Sequence, residues 1–234
     1  MTRPGEPDRL AGGGEPARAR VAAAAGTATF TIGMLADSDE EACTGLATAF
    51  RQRHPGVHVR IRETDLSDPT AGLRAGLVDA ALTRTPFDRT GISIRVLRSD
   101  PVGAVLRTDD PLACRDTLHL RDLDDRRWFQ LPGETDPLWR AYWSGTAPAG
   151  ALRDGPVVRT VRECLQAVLW NATIGLALLA PQLAHMLPDG LTTVPLADMP
   201  PSQLVLAWAS NDANPLIRSL TQIAAAAYRS RSSS

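Results

Sequence analysis

Between Thr29 and Leu82 the spacing of apolar residues passes from strand period to helix period and back, and this constrains the fold more than any other feature. Phe30 and Ile32 flank Thr31 in an alternating strand that ends at Gly33. Ser38, with Glu41 three residues on, forms a capping box, after which Cys43, Leu46, Ala47 and Phe50 recur at helical spacing. That helix, about Asp39 to Arg53, stops before His54-Pro55-Gly56. Val57, Val59 and Ile61 then alternate with His58, Arg60 and Arg62, as in a half-buried strand. A second, short helix is expected from Asp68-Pro69 to a C-cap at Gly76, and Val78 to Leu82 reads as a buried strand. An order β-α-β-α-β requires crossover helices and so predicts a parallel sheet.

A second α/β block follows two more strands, Ile92 to Val96 and Val102 to Leu106, and a turn at Asp109-Asp110-Pro111. Trp128 to Leu131 reads as a strand, Pro137 to Trp143 as an aromatic-rich helix, and Val157-Val158 as a strand end. Thr160 and Glu163 form another capping box, opening a helix through Leu165, Val168 and Leu169. Strands are expected at Gly175 to Ala180, around Val194 and Leu196, and at Leu204 to Trp208. The last helix opens at Asn214-Pro215, with Ile217, Leu220, Ile223 and Ala227 on one face. Residues 1–27, rich in Gly, Pro, Ala and Arg, read as a flexible lead-in.

Composition excludes several classes of function. With 25 basic and 26 acidic side chains, the formal charge of -1 argues against a chain-wide polyanion surface. Every basic residue is Arg, which reads as coding bias before it reads as chemistry. The cysteines, Cys43, Cys114 and Cys164, are odd in number and far apart, so neither a disulfide framework nor a zinc site is expected, and a reducing cytoplasm is the simplest location. No apolar run approaches the roughly 18 residues of a membrane span, and the first residues lack the apolar core of a secretory signal. His54, His58, His119 and His185 have no metal-ligand spacing, and no nucleophile elbow, phosphate loop or dinucleotide fingerprint occurs, so no enzyme activity, metal or cofactor is expected. Cys43, on an apolar helix face, reads as core; Cys114, in a turn, reads as more exposed.

The stretch from Phe30 to Glu63, followed by Leu73 to Pro86, resembles the effector-binding domain of LysR-type transcriptional regulators. Phe50, Arg51, His54, Pro55, Val57, Glu63, Leu73, Gly76, Val78 and Asp79 fall on positions of that family's pattern. The segments from Val105 to Leu123 and from Thr160 to Ala184 resemble its hinge strand and its late helix-strand-helix unit. The resemblance runs from about Thr29 to Tyr228. It implies an α/β fold of two Rossmann-like lobes with mixed, mainly parallel sheets, joined by crossing hinge strands in the manner of type 2 periplasmic-binding proteins. The expected division is residues 28–107 with 199–234 in one lobe and 108–198 in the other. Asp110 stands where the family usually has His, a departure expected to matter only at the surface. The family's helix-turn-helix finds no counterpart in the lead-in, so contact with DNA is expected only through a separate segment. The resemblance also implies a homodimer in which the first helix, with Ala47, Thr48 and Phe50, meets the partner's second lobe.

In a two-lobed α/β sensor, ligands sit at the carboxyl ends of strands and the amino ends of helices. The rule selects residues 36–39, 64–67, 84–86 and 159–160, and the candidate effector contacts are Ser38, Thr64, Leu66, Arg84, Thr85, Pro86 and Thr160. Ser38 and Thr160 also serve as plain helix caps. Arg84, leaving a buried strand toward the cleft, suits a ligand carboxylate, and a lobe-bridging ion pair is the competing reading. Asp37, Asp39, Asp65 and Asp68 in the same loops leave the ligand's charge open. Trp139, Tyr142 and Trp143 read as core, with one wall of the cleft as the alternative. The expected activity is the binding of a small-molecule effector; a solute-binding protein for transport is the alternative.

Overall fold

The computed structural model describes residues 28–35, 40–144, 155–179 and 187–231; the expected lead-in and Ser38 lie outside them. Among the described residues, eight strands and four α-helices run in the order β1 (Ala28–Leu35), α1 (Glu40–Arg53), β2 (Val57–Thr64), β3 (Ala80–Arg84), β4 (Ile92–Asp100), β5 (Val102–Arg107), α2 (Pro137–Trp143), α3 (Val161–Asn171), β6 (Gly175–Leu178), β7 (Leu191–Pro195), β8 (Ser202–Ala209) and α4 (Pro215–Arg231). They form a five-stranded sheet ordered β2-β1-β3-β8-β4 and a three-stranded sheet ordered β6-β5-β7. The chain crosses between the sheets at Pro101 and again between β7 and β8.

The alternation read from the sequence explains the first sheet. Ile32, Ala80, Leu82, Leu204 and Leu206 face α1 and α4, where they bury against Phe50, Cys43, Ile217 and Leu220. Ala81 and Ala207 face the other way, under Ala71, Leu73 and Val78. The second sheet buries Val102, Ala104 and Leu106 with Trp128 and Tyr142 on one side, while Val105 turns toward α3 on the other.

Several expectations are corrected. Parallel pairing between strands is confined to β1–β2 and β1–β3; β3–β8, β4–β8, β5–β6 and β5–β7 are antiparallel, so the sheets are mixed without being mainly parallel. Val102–Arg107 is the central strand of the second sheet, so the sheets change at Pro101 and not after residue 107. The short helix expected near Asp68 to Gly76 is a run of turns. Ala71 and Gly72 have φ of 51° and 85°, which no α-helix accommodates. The turns are closed by Asp68, whose carboxylate accepts from Thr70 N, Thr70 Oγ1 and Gly72 N at 2.6–2.9 Å. They pack so closely on β1 that a Cβ at Gly33 would lie 2.1 Å from the Ala71 carbonyl oxygen. Trp128 to Leu131 and Val157-Val158 form isolated bridges rather than strands, Trp128 with Ile174 and Gln130 with Val157. The strand expected at Val78 to Leu82 runs two residues later and ends on Arg84 itself. Asp110 is no surface matter: its side chain is 14% exposed, caps a short 3-10 turn by accepting from Leu112 N, and takes both Arg126 amino groups at 2.9 Å.

Candidate functional site

A cavity of about 720 Å³ opens between the two sheets. Leu35 and Leu66, at the carboxyl ends of β1 and β2, reach it from the first sheet together with Arg84 at the end of β3. The other walls are Phe129 and Leu131 before α2, Trp139 and Trp143 on α2, the α3 residues Cys164, Leu165, Val168 and Leu169, and Leu176 to Leu179 along β6. The strand and helix ends place it where an open α/β sheet binds ligands. Its wall is apolar and aromatic, with few polar groups. Gly175 helps make this wall, since a Cβ there would strike the Phe129 ring at 2.0 Å.

Arg84 is the best determined of the candidate contacts. Its side chain is 1% exposed, and an amino group donates to Asp100 Oδ2 at 2.7 Å. Arg98 Nε donates to the other Asp100 oxygen, also at 2.7 Å. Asp100 ends β4 beside the crossing at Pro101, so Arg84 joins the cavity to the hinge through a buried ion pair. Arg84 is thus ion-paired, but within the five-stranded sheet and buried rather than at the surface or between lobes, and the guanidinium also lines the cavity.

Of the other candidates, Leu66 lines the cavity, and its N–H donates to the Arg159 carbonyl at 2.8 Å, tying the loop after β2 to the start of α3. Thr64, Thr85, Pro86 and Thr160 are not on the described wall. Thr64 Oγ1 is 3.5 Å from the Met34 carbonyl, and Thr85 N donates to Gln203 O at 3.0 Å. Thr160 caps α3: its Oγ1 accepts from Glu163 N at 3.2 Å, and Glu163 in turn accepts from the N–H groups of Arg159 and Thr160. These donors are thus taken up within the helix start. Asp65 and Asp68 are likewise engaged in their own turns, Asp65 with Ser67 N and Oγ and Asp68 as above. Asp37 and Asp39 lie outside the described residues.

Sequence reasoning missed the larger part of the wall. Leu165, Val168 and Leu169 read as one apolar helix stripe, and only Val168 is fully buried. The available signal was an excess of apolar side chains on a short helix, ending in Trp170, which is 75% exposed. Trp139 and Trp143 are both packed and cavity-lining, with ring centroids 5.3 Å apart and planes at 57°. Cys164 shares the wall, and burial, with the charge of Glu163, pushes its thiol up to about 12, so it stands there as a protonated, unreactive group. Cys43 is buried and Cys114 exposed, as their positions suggested. Among the described residues no group of three His, Cys, Asp or Glu is placed to hold a metal, and no helix is long and apolar enough to cross a membrane.

The comparisons agree with this geometry. Over 196 residues the chain is 22% identical to the HTH-type transcriptional regulator AlsR of Bacillus subtilis (strain 168), an alignment covering 83% of this chain and 65% of the regulator, so the chain spans about two thirds of that relative. The BenM effector binding domain with its effector benzoate superposes with a TM-score of 0.65 at 21% identity, covering 87% of this chain and 93% of that one. The effector binding domain of QuiR in complex with shikimate gives 0.68 at 15% identity, covering 88% and 99%. Such likenesses establish the type 2 periplasmic-binding-protein fold expected above. The model of the LysR substrate binding domain matches residues 23–229, nearly the whole chain, and the protein therefore belongs to the LysR substrate-binding-domain family.

Proposed function

We propose that this domain senses a small-molecule effector in the cavity between its sheets and passes the signal on by a rearrangement of the two lobes, without chemistry. The observation that carries the reading is the cavity itself, whose walls come from both sheets while the buried Arg84–Asp100 pair ties it to the crossing strand. Ligand there stabilises one arrangement of the lobes over others by its difference in affinity for them. Leu66 and Arg84 are the first-choice contacts. Thr64, Thr85, Pro86 and Thr160 border the cleft and supply contacts only if the lobes close further, and Ser38, outside the described residues, stays a candidate from the sequence. Transport is not favoured, since the curated relative is a transcription regulator.

The regulatory setting follows the relatives: a cytoplasmic protein acting as a homodimer, with DNA reached through a separate helix-turn-helix and no membrane partner. The sequence-based pairing surface is revised. Ala47 and Phe50 are buried in the core of their own lobe, leaving Thr44, Gly45, Thr48, Arg51, Gln52 and Arg53 as the exposed positions among the described side chains of α1. Light scattering at tens of micromolar tests the dimer, and a monomer there argues against it.

The test of sensing is a thermal-shift screen of small metabolites, repeated on Ala177→Phe, which places a ring in the cavity from β6. A ligand at 100 times its dissociation constant adds about 2.7 kcal/mol. A shift present in the native protein and absent from Ala177→Phe supports the reading. A hit that binds both equally places the ligand elsewhere.

A further inference from the structure

Every residue of α3 lines the cavity except Glu163, Ala167 and Asn171, which form one stripe at a spacing of four. The cavity thus follows α3 from its first turn to its last, a length of about 13 Å at 1.5 Å per residue. Across that length its character changes with depth. Leu35, Val105, Phe129, Leu131, Val168 and Leu176 are buried and give it an apolar floor. Arg162, Gln166 and Trp170 also line it, stand four residues apart and are exposed, so the margin open to water runs the length of the helix. A compact polar ligand finds little on that floor to replace its water. An elongated apolar one removes carbon from water along the whole helix.

Charge distinguishes the places where a ligand's polar end can sit. The charged side chains on the described wall are Arg84 and Arg162, with no carboxylate among them and the Cys164 thiol held neutral. Arg84 is buried and bonds Asp100, so a ligand carboxylate there would be stripped of water beside a carboxylate already in place. Arg162 is exposed and has no ion pair among the described residues. Nearby acids are engaged elsewhere: Glu163 accepts from the N–H groups of Arg159 and Thr160, and Glu134 pairs with the Arg159 side chain at 2.9 Å. An anion beside Arg162 keeps much of its water and meets an unspent cation.

Resting on the sensing reading above, we propose that the cavity takes an elongated monoanion, its apolar body laid along α3 and its single carboxylate at the exposed margin beside Arg162, as in a medium-chain fatty acid. The class excludes sugars, amino acids and polyanions.

The experiment is calorimetry on the full chain at neutral pH with hexanoate, octanoate, decanoate and decylamine. Affinity is expected to rise about fourfold per methylene from hexanoate to decanoate, the roughly 0.8 kcal/mol of burying one CH₂. Decylamine, of the same length and opposite charge, is expected to bind several-fold more weakly than decanoate. In Arg162→Gln that preference for the anion disappears while the dependence on chain length stays. Ala177→Phe, which fills the cavity from β6, removes the dependence on chain length, and Leu165→Phe, which narrows the same space from α3, does so independently should the first variant fail to fold. Decanoate binding no more tightly than hexanoate to the native chain overturns the proposal without any variant. A chain-length dependence that survives in a folded Ala177→Phe or Leu165→Phe places the chains outside the cavity and overturns it as well. Decylamine matching decanoate, or a preference that persists in Arg162→Gln, overturns the assigned head-group contact. If none of the carboxylates binds, the proposal falls; a compact polar hit lost in Ala177→Phe then keeps the sensing reading, and the absence of any hit removes both.

Discussion

The five-stranded sheet is packed on both faces, by Phe50, Ile217 and Leu220 on one side and by Ala71, Leu73 and Val78 on the other. The three-stranded sheet is packed on one face against Trp128 and Tyr142, while on the other Val105 is buried with Phe129 and Val168 and the cavity of about 720 Å³ opens beside them. Filled space costs a great deal to empty, whereas a wall that already borders space has little left to lose. The first sheet is thus the stable frame, and the second is where a ligand can enter without displacing core.

That contrast is broken most directly by matched truncations. Phe50→Ala is expected to lower stability by about 3–5 kcal/mol, and Leu165→Ala by about 1 kcal/mol, in urea unfolding. Equal costs would show that the α3 wall is packed as tightly as the α1 face. The junction between the regions comes next. Arg84→Ala leaves the buried Asp100 with Arg98 as its remaining described ion-pair partner and is expected to cost about 3 kcal/mol, whereas Arg107→Ala, at the exposed pair with Asp109, is expected to change stability far less. A near-neutral Arg84→Ala would leave the guanidinium available chiefly to a ligand. Thr160→Ala should cost about 1 kcal/mol through its cap and leave ligand affinity unchanged. A loss of affinity there would bring the Thr160 side chain itself into the site.

The smallest effect lies in the frame. Burial raises the Asp79 carboxyl above its ordinary value, partly offset by the Thr31 N–H at 2.6 Å, and the charge of Asp212 raises it further. The folded state therefore binds this proton more tightly than the unfolded chain, and stability from Asp79 falls as pH rises through its folded range. Asp79→Asn, which keeps an acceptor for Thr31, is expected to remove that fall and to raise the melting point slightly at neutral pH. An unchanged pH profile would contradict it.

What was legible depended on how local the cause was. The alternation of β1 and β2, the helix ending at His54 and the Thr160–Glu163 box are set by neighbours within four residues, and they stand where the spacing put them. The helix expected near Asp68 failed because Asp68 turns its carboxylate onto Thr70 and Gly72, and because the turns fit against Gly33 of β1, a contact no local pattern announces. Val102–Arg107 was placed with the wrong sheet for a related reason, since an apolar strand pairs equally well in either until its neighbours are known.

By itself the sequence determined the α/β character, the order of most elements, and the kinship with the LysR substrate-binding domains, because periodicity, caps and motif spacing are properties of short stretches. The tertiary structure alone decided that Arg84 is held by Asp100, 16 residues away, and that Trp139, Leu165 and Leu176 share a wall. It also decided that the space runs along α3 from its first turn, with Val161 and Arg162 on the wall and the capping Thr160 off it. A cavity is the residue of how separate elements fail to fill a volume together, and no single stretch of chain carries that sum.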